Sequence, residues 1–137
     1  MRYLIDTNIF TRIVNDSDLL SNDVKDILND YENVIFVSSE SIKEFVHLVQ
    51  NKKIFLNKSI QLVGLFDLIE NTFGFNVKYV AKEHLRTLSK LALVEGHNDP
   101  SDRLIISQAL TEKMPLISSD TKFPKNRKYG LELIVNR

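Results

Sequence analysis

The chain has 137 residues, 43% hydrophobic and 26% charged, which fits one globular domain and excludes disordered, collagen-like and coiled-coil architectures. It contains no cysteine, so disulfides, thiolate metal sites and cysteine nucleophiles are excluded together. Its 18 basic and 18 acidic residues cancel, which speaks against a long nucleic-acid footprint but not against acids gathered at one site.

Tyr3-Leu4-Ile5 is a short apolar run that predicts a buried strand ending at Asp6. Ile9, Phe10, Ile13 and Val14 then recur at helical spacing, with Asp6 or Thr7 suited to cap that helix. Asn15-Asp16-Ser17-Asp18 breaks the pattern and lacks the remaining ligand spacing of a calcium loop. A second helix is expected from about Asn22 to Tyr31. Val34-Ile35-Phe36-Val37 is the clearest strand, stopped by Ser38-Ser39, and Ile42, Phe45, Val46 and Val49 stripe the helix after it.

An amphipathic segment from about Leu56 to Phe73 ends at Gly74, a helix C-terminal signal. Asn76 to Val80 predicts a weak strand, and Lys82 to Val94 a helix closed by Gly96. Pro100 stands at the first position of a further helix, with Asp99 as its cap. Leu116-Ile117-Ser118 predicts a buried strand ending near Asp120, and Leu131 to Val135 a last one. Strands separated by helices predict an α/β sandwich over residues 1–137: a mostly parallel sheet of about five strands flanked by helices. Ligands of such sheets bind beyond the carboxyl ends of the strands.

No apolar run approaches the roughly 20 residues of a membrane span. Asp6 stands where a signal peptide would continue its apolar segment, so a cytoplasmic protein is expected.

The acids fall in a pattern. Asp6 and Asp120 both lie just past apolar strands, so they share one edge of the sheet if those strands are neighbours. The helix that begins at Pro100 must run antiparallel to the Leu116 strand, which returns its first turn to that edge. Asp102 stands in line with Ile105, Ile106 and Ala109, on the inward stripe. A second reading stands beside this one. Asp99 and Asp102 also form a capping pattern favoured by the helix dipole, Asp6 alone reads as a cap, and Asp120 alone as a turn residue. Glu44 lies off its helix's apolar stripe, beside Glu40 and His47, yet only about one turn from the carboxyl edge of the Val34 strand. Three or four carboxylates at one place are tolerable only with protons or cations among them. With hard oxygen ligands alone, the cation expected is Mg²⁺ or Mn²⁺.

Four segments together resemble the PIN-domain family. Tyr3-Leu4-Ile5-Asp6-Thr7-Asn8-Ile9-Phe10 is similar to its opening, and Ser38-Ser39-Glu40-Ser41-Ile42-Lys43-Glu44-Phe45 to its second acidic motif. His97-Asn98-Asp99-Pro100-Ser101-Asp102-Arg103-Leu104-Ile105-Ile106-Ser107-Gln108-Ala109 resembles the third, and Leu116-Ile117-Ser118-Ser119-Asp120 the fourth. The resemblance implies a three-layer fold with a shared acidic pocket and an endoribonuclease dependent on Mg²⁺ or Mn²⁺, using one or two ions, as in VapC-type toxins. It also implies a homodimer and a small antitoxin protein that blocks the site.

Carried over by position, Asp6, Glu44, Asp102 and Asp120 form the catalytic set, with Asp6, Asp102 and Asp120 as metal ligands and Asp99 as an accessory acid or a cap. The choice of Glu44 over Glu40 rests on the resemblance. Many relatives carry Arg and Phe where this chain has Asn98 and Ser101, a departure that bears on RNA grip and local packing rather than on the chemistry. Thr7, Asn8, Ser118 and Ser119 either orient the ligating carboxylates or serve as ordinary helix-start and strand-end polar residues. Arg103 is read as a phosphate contact or a salt-bridge residue, and His97 as a loop or packing residue. Lys122, Lys125, Arg127 and Lys128 form either a basic lip that guides RNA or a solvated loop. Two rival readings are a PIN-like binding module without turnover and a DNA-directed nuclease on the same scaffold.

Overall fold

Tyr3 and Ile5 are buried in one core, and Leu4 between them is buried in another. Successive strand side chains point to opposite faces, so a continuous apolar run needs cover on both sides. The computed structural model, which describes residues 1–93, 95–96, 98–120 and 130–137, provides that cover. Its strands are β1 (Arg2–Ile5), β2 (Val34–Ser38), β3 (Asn76–Lys78), β4 (Leu116–Ser118) and β5 (Leu133–Val135). Its α-helices are α1 (Thr7–Asn15), α2 (Asn22–Asn29), α3 (Ser39–Gln50), α4 (Leu65–Asp67), α5 (Lys82–Lys90) and α6 (Pro100–Glu112). The sheet order is β3-β2-β1-β4-β5, and all four pairings are parallel.

The sheet divides two cores. On one face Ile5, Val37 and Ile117 pack with Ile9 and Phe10 of α1, Val24 of α2, Ile42 and Phe45 of α3, and Leu65 and Ile69. Phe10 and Phe45 meet edge to face at 5.1 Å and 76°, which ties α1 to α3. On the other face Leu4 and Leu116 pack with Ile105, Ile106 and Ala109 of α6. A 2.6 Å hydrogen bond between the Thr87 and Thr111 hydroxyls joins α5 to α6. The three layers are those expected from the alternation of strands and helices.

Several boundaries differ from expectation, each for a local reason. The stretch from Leu56 is not helical until Leu62, and Asn57 explains why. Its Oδ1 accepts from both the backbone N–H and the hydroxyl of Ser59, a side-chain turn that competes with helix. Asn15 also takes the Phe55 carbonyl and the Asn57 N–H. From Leu62 the chain passes through a 3-10 turn (Leu62–Gly64), α4 and a π turn (Leu68–Thr72). Gly74 then turns the chain at φ +70°, as its sequence position predicts.

The helix expected to reach Val94 stops at Lys90, where Leu91 adopts extended geometry. The Arg103 guanidinium collects the Leu91 and Ala92 carbonyls at 3.0 and 3.1 Å, outside any helical ladder. β3 ends at Lys78 because the Val80 N–H turns to Ser39 Oγ at 3.0 Å. Val94, His97 and the basic run at Lys122, Lys125, Arg127 and Lys128 lie outside the described residues. Among the described residues, no helix is long and apolar enough to cross a membrane.

Candidate active site

β1 and β4 are neighbours, with Ile5 in register with Ile117. From β1 the chain builds outward to β2 and β3 on one side, and β4 and β5 complete the other. The crevice beyond the carboxyl ends at such a reversal is where ligands settle in open α/β sheets. Asp6 is the first residue past β1, and Asp120 stands two residues past β4.

Asp6 is only 2% exposed. It caps α1, its Oδ1 accepting the Ile9 N–H at 2.9 Å. Its Oδ2 accepts the Ser118 hydroxyl at 2.5 Å, and the same hydroxyl oxygen accepts the Asp120 N–H at 2.9 Å. Ser118 therefore couples the two strand ends and the backbone of the second acid. Burial pushes the Asp6 carboxyl up from its ordinary 3.8 to about 7. The hydrogen bonds from Ser118 and Ile9 pull it down, while the charges of Asp102 and Asp120 push it up further. Asp6 therefore lies within the field of both other acids.

A cleft of about 330 Å³ opens over this edge, lined by carboxylates from four segments: Asp6, Glu44, Asp102 and Asp120, with Asp99 beside them. Asp99 caps α6, accepting the Asp102 N–H at 3.0 Å, so the capping reading holds for Asp99 while Asp102 also lines the cleft. Thr7 and Asn8 line it too, and the buried Thr7 hydroxyl has no hydrogen-bond partner among the described residues. Glu44 reaches the cleft from α3, whereas Glu40 does not line it. Instead Glu40 accepts the Ser101 hydroxyl at 2.9 Å and pairs with Lys43 at 3.2 Å.

Ser119 is half-buried and stands outside the lining, and Arg103 is engaged with the Leu91 and Ala92 carbonyls. Lys122 lies outside the described residues. Leu48, Gly96 and Asn98 line the cleft without having been singled out as site residues. Leu48 was legible, since it stands four positions after Glu44 and shares its helix face. Gly96, at φ +77°, read only as a helix stop.

A family model described as the PIN domain matches residues 3–129, nearly the whole chain. The chain belongs to the PIN-domain family. Among curated proteins nothing matches it. Among solved structures, this PIN domain resembles a chain of the Rickettsia felis VapBC2 structure bound to a promoter DNA fragment, with 21% identity, TM-score 0.73 and 100% of each chain covered. It resembles VapBC-1 of nontypeable Haemophilus influenzae at 19% identity and TM-score 0.66, with 98% of each chain covered. FitAcB of Neisseria gonorrhoeae is similar at 16% identity and TM-score 0.63, covering 98% of this chain and 96% of that one. These likenesses are likenesses of fold.

The lining of this PIN domain suits a hard divalent cation. Among the described residues, every charged group that lines the cleft is a carboxylate, joined by the Asn98 amide, and no imidazole lines it. A cation there would offset the cost of ionising the buried Asp6. Among the described residues no three acids or imidazoles stand as a preassembled ligand cluster, so the acids line a cleft rather than form a closed cage.

Proposed function

We propose that this PIN domain is an endoribonuclease dependent on Mg²⁺ or Mn²⁺, and the toxin of a two-component toxin–antitoxin pair. One observation carries the reading: four carboxylates from distant parts of the chain line one cleft at the sheet's reversal point, and the most buried has its pKa raised to about 7. Such an arrangement costs stability in the absence of a cation, and function accounts for its presence. The single domain at 1–137 acts as the catalytic unit in the cytoplasm.

Asp6, Asp102 and Asp120 would hold the cation or pair of cations, which when bound supplies an activated water and offsets charge on the leaving oxygen. Ser118 fixes the direction of the Asp6 carboxylate through its short hydrogen bond. Glu44, across the cleft, positions the attacking water. Thr7, whose hydroxyl has no partner among the described residues, and Asn8 orient groups at the cleft edge. Asp99 holds the first turn of α6 in place. Arg103 keeps the chain after α5 against α6, and Lys122 and the basic run around it guide RNA.

The resemblance to VapBC and FitAcB chains supports a small antitoxin protein as partner, and a homodimer, expected from the family resemblance, is the working form in this reading. Incubating the purified chain with labelled RNA and DNA, each with Mn²⁺ and with EDTA, tests the reading. Cleavage of RNA alone, abolished by EDTA, is expected. Cleavage of DNA alone assigns a DNA-directed nuclease, and no cleavage of either assigns a silent binding module.

A further inference from the structure

We infer that Glu40 is a positioning residue: its hydrogen bond with Ser101 holds the first turns of α3 and α6 together and sets the spacing of Glu44 and Asp102 across the cleft. This rests on the cation reading of that cleft. Ser101 Oγ donates to Glu40 Oε1 at 2.9 Å, across 61 positions of sequence. The Glu40 side chain is 12% exposed and shares Oε1 with Lys43 Nζ, while its backbone N–H donates to Ser38 Oγ at 3.0 Å, the cap of α3. Glu40 is thus fixed at both its ends.

What the bond joins gives it its role. Glu44 stands four positions after Glu40 on the same face of α3, one turn further along. Asp102 follows Ser101 directly in the first turn of α6, where Asp99 already accepts its N–H. The bond therefore ties the turn before one cleft acid to the residue beside another. Glu44 and Asp102 are acids lining one cleft, and like charge on the two opposes a close approach of α3 and α6 when no cation lies between them. A half-buried tie at the root of both helices opposes that separation, and keeps the two carboxylates at one distance before a cation arrives.

The test uses the full chain and measures Mn²⁺ uptake from the electron paramagnetic resonance signal of the free ion. Glu40→Ala and Ser101→Ala are each expected to raise the half-saturating Mn²⁺ concentration about 10-fold, the size of effect seen when a ligand's supporting partner is lost. The double variant is expected to be no worse than either single, because both remove one bond. Glu40→Gln keeps an oxygen acceptor for Ser101 and is expected to bind like wild type, as is Lys43→Ala. Ser101→Ala, a small change at a half-buried turn, carries the test if Glu40→Ala does not fold. Wild-type affinity in both alanine variants overturns the positioning role, and so does a Glu40→Gln variant as weak as Glu40→Ala, since charge alone would then explain the loss. A wild type that takes up no Mn²⁺ overturns the cation reading itself and the inference with it.

Discussion

The two ends of α6 hold carboxylates in opposite ways. At its C-terminal end Glu112 stands where the helix dipole disfavours an acid. It is nevertheless fully matched: Oε2 accepts from His84 Nε2 at 2.9 Å, and Oε1 meets Lys78 Nζ and Arg2 Nη2, each at 3.3 Å. The His84 hydrogen bond, aided by the Lys78 cation, holds the Glu112 carboxyl below its ordinary 4.5, against the opposing effect of burial. The Phe36 ring lies under both cations, 4.8 Å from Lys78 Nζ and 5.3 Å from Arg2 Cζ.

At the N-terminal end the dipole favours Asp102, yet that acid faces a cleft shared with Asp6, Asp120 and Glu44. There the nearest buried carboxyl is pushed up rather than down. A charge network built for stability closes on itself. The cleft instead gathers carboxylates around a buried one whose ionisation burial and its acidic neighbours oppose, and is recognised by what that costs.

The strongest response is expected from Asp6→Asn. Cleavage is expected to fall by more than about 100-fold, because even supporting partners of metal ligands cost 10- to 100-fold. The metal-free protein is expected to become more stable, by up to about 4 kcal/mol at neutral pH, the cost of ionising a carboxyl held near 7. Nuclease assays and thermal melts in EDTA measure the two effects, and a stability loss in EDTA would remove the cleft from the frustrated class. Ser118→Ala comes next. It deletes the bond to Asp6 Oδ2 and the one from the Asp120 N–H while every acid stays in the chain, and cleavage is expected to fall about 10-fold, with recovery at higher Mn²⁺.

The opposite end of α6 responds in the opposite sense. The Ala81 N–H donates to His84 Nδ1 at 2.9 Å, so Nε2 carries the proton given to Glu112. His84 is 2% exposed, and His84→Ala is expected to cost about 1–3 kcal/mol in a denaturant melt while changing cleavage less than about 2-fold. The smallest effect is expected at Arg2, whose half-exposed pair with Glu112 contributes about 0–1 kcal/mol, so Arg2→Ala should leave both melt and cleavage nearly unchanged.

The two ends also differ in how far they could be read from sequence. Asp6, Asp102 and Asp120 were legible because strand ends and an inward helix stripe are periodic features, and the strand order needed only β1 beside β4. Glu44 was not legible from its helical wheel, because the apolar stripe reports the core beneath α3 and not the cleft above its first turns. The His84 cluster left no trace, since its members come from β1, β3, α5 and α6 and no spacing relates them. In the sequence Glu40 stands only as a rival to Glu44. Its partner Ser101 lies 61 positions away, and nothing in either segment announces the other. The stretch from Leu56 to Gln61 misled because its apolar residues keep a helical spacing while Asn57 closes a turn on Ser59. Local periodicity carries the layers, and tertiary convergence decides which polar residues share a site.

Most direct is the difference in stability between wild type and Asp6→Asn, followed by thermal melts from pH 4 to pH 8, with EDTA and with Mn²⁺. An unfolded aspartate titrates near 3.9 and folded Asp6 at about 7, so the stability of its protonated form is complete below about pH 4 and is lost as the pH rises through 7. In EDTA the wild type is therefore expected to fall progressively behind Asp6→Asn across that window, and Mn²⁺ to close the gap at neutral pH for the wild type alone. A gap that does not change with pH, together with melts indifferent to Mn²⁺, would contradict a cation held among these acids.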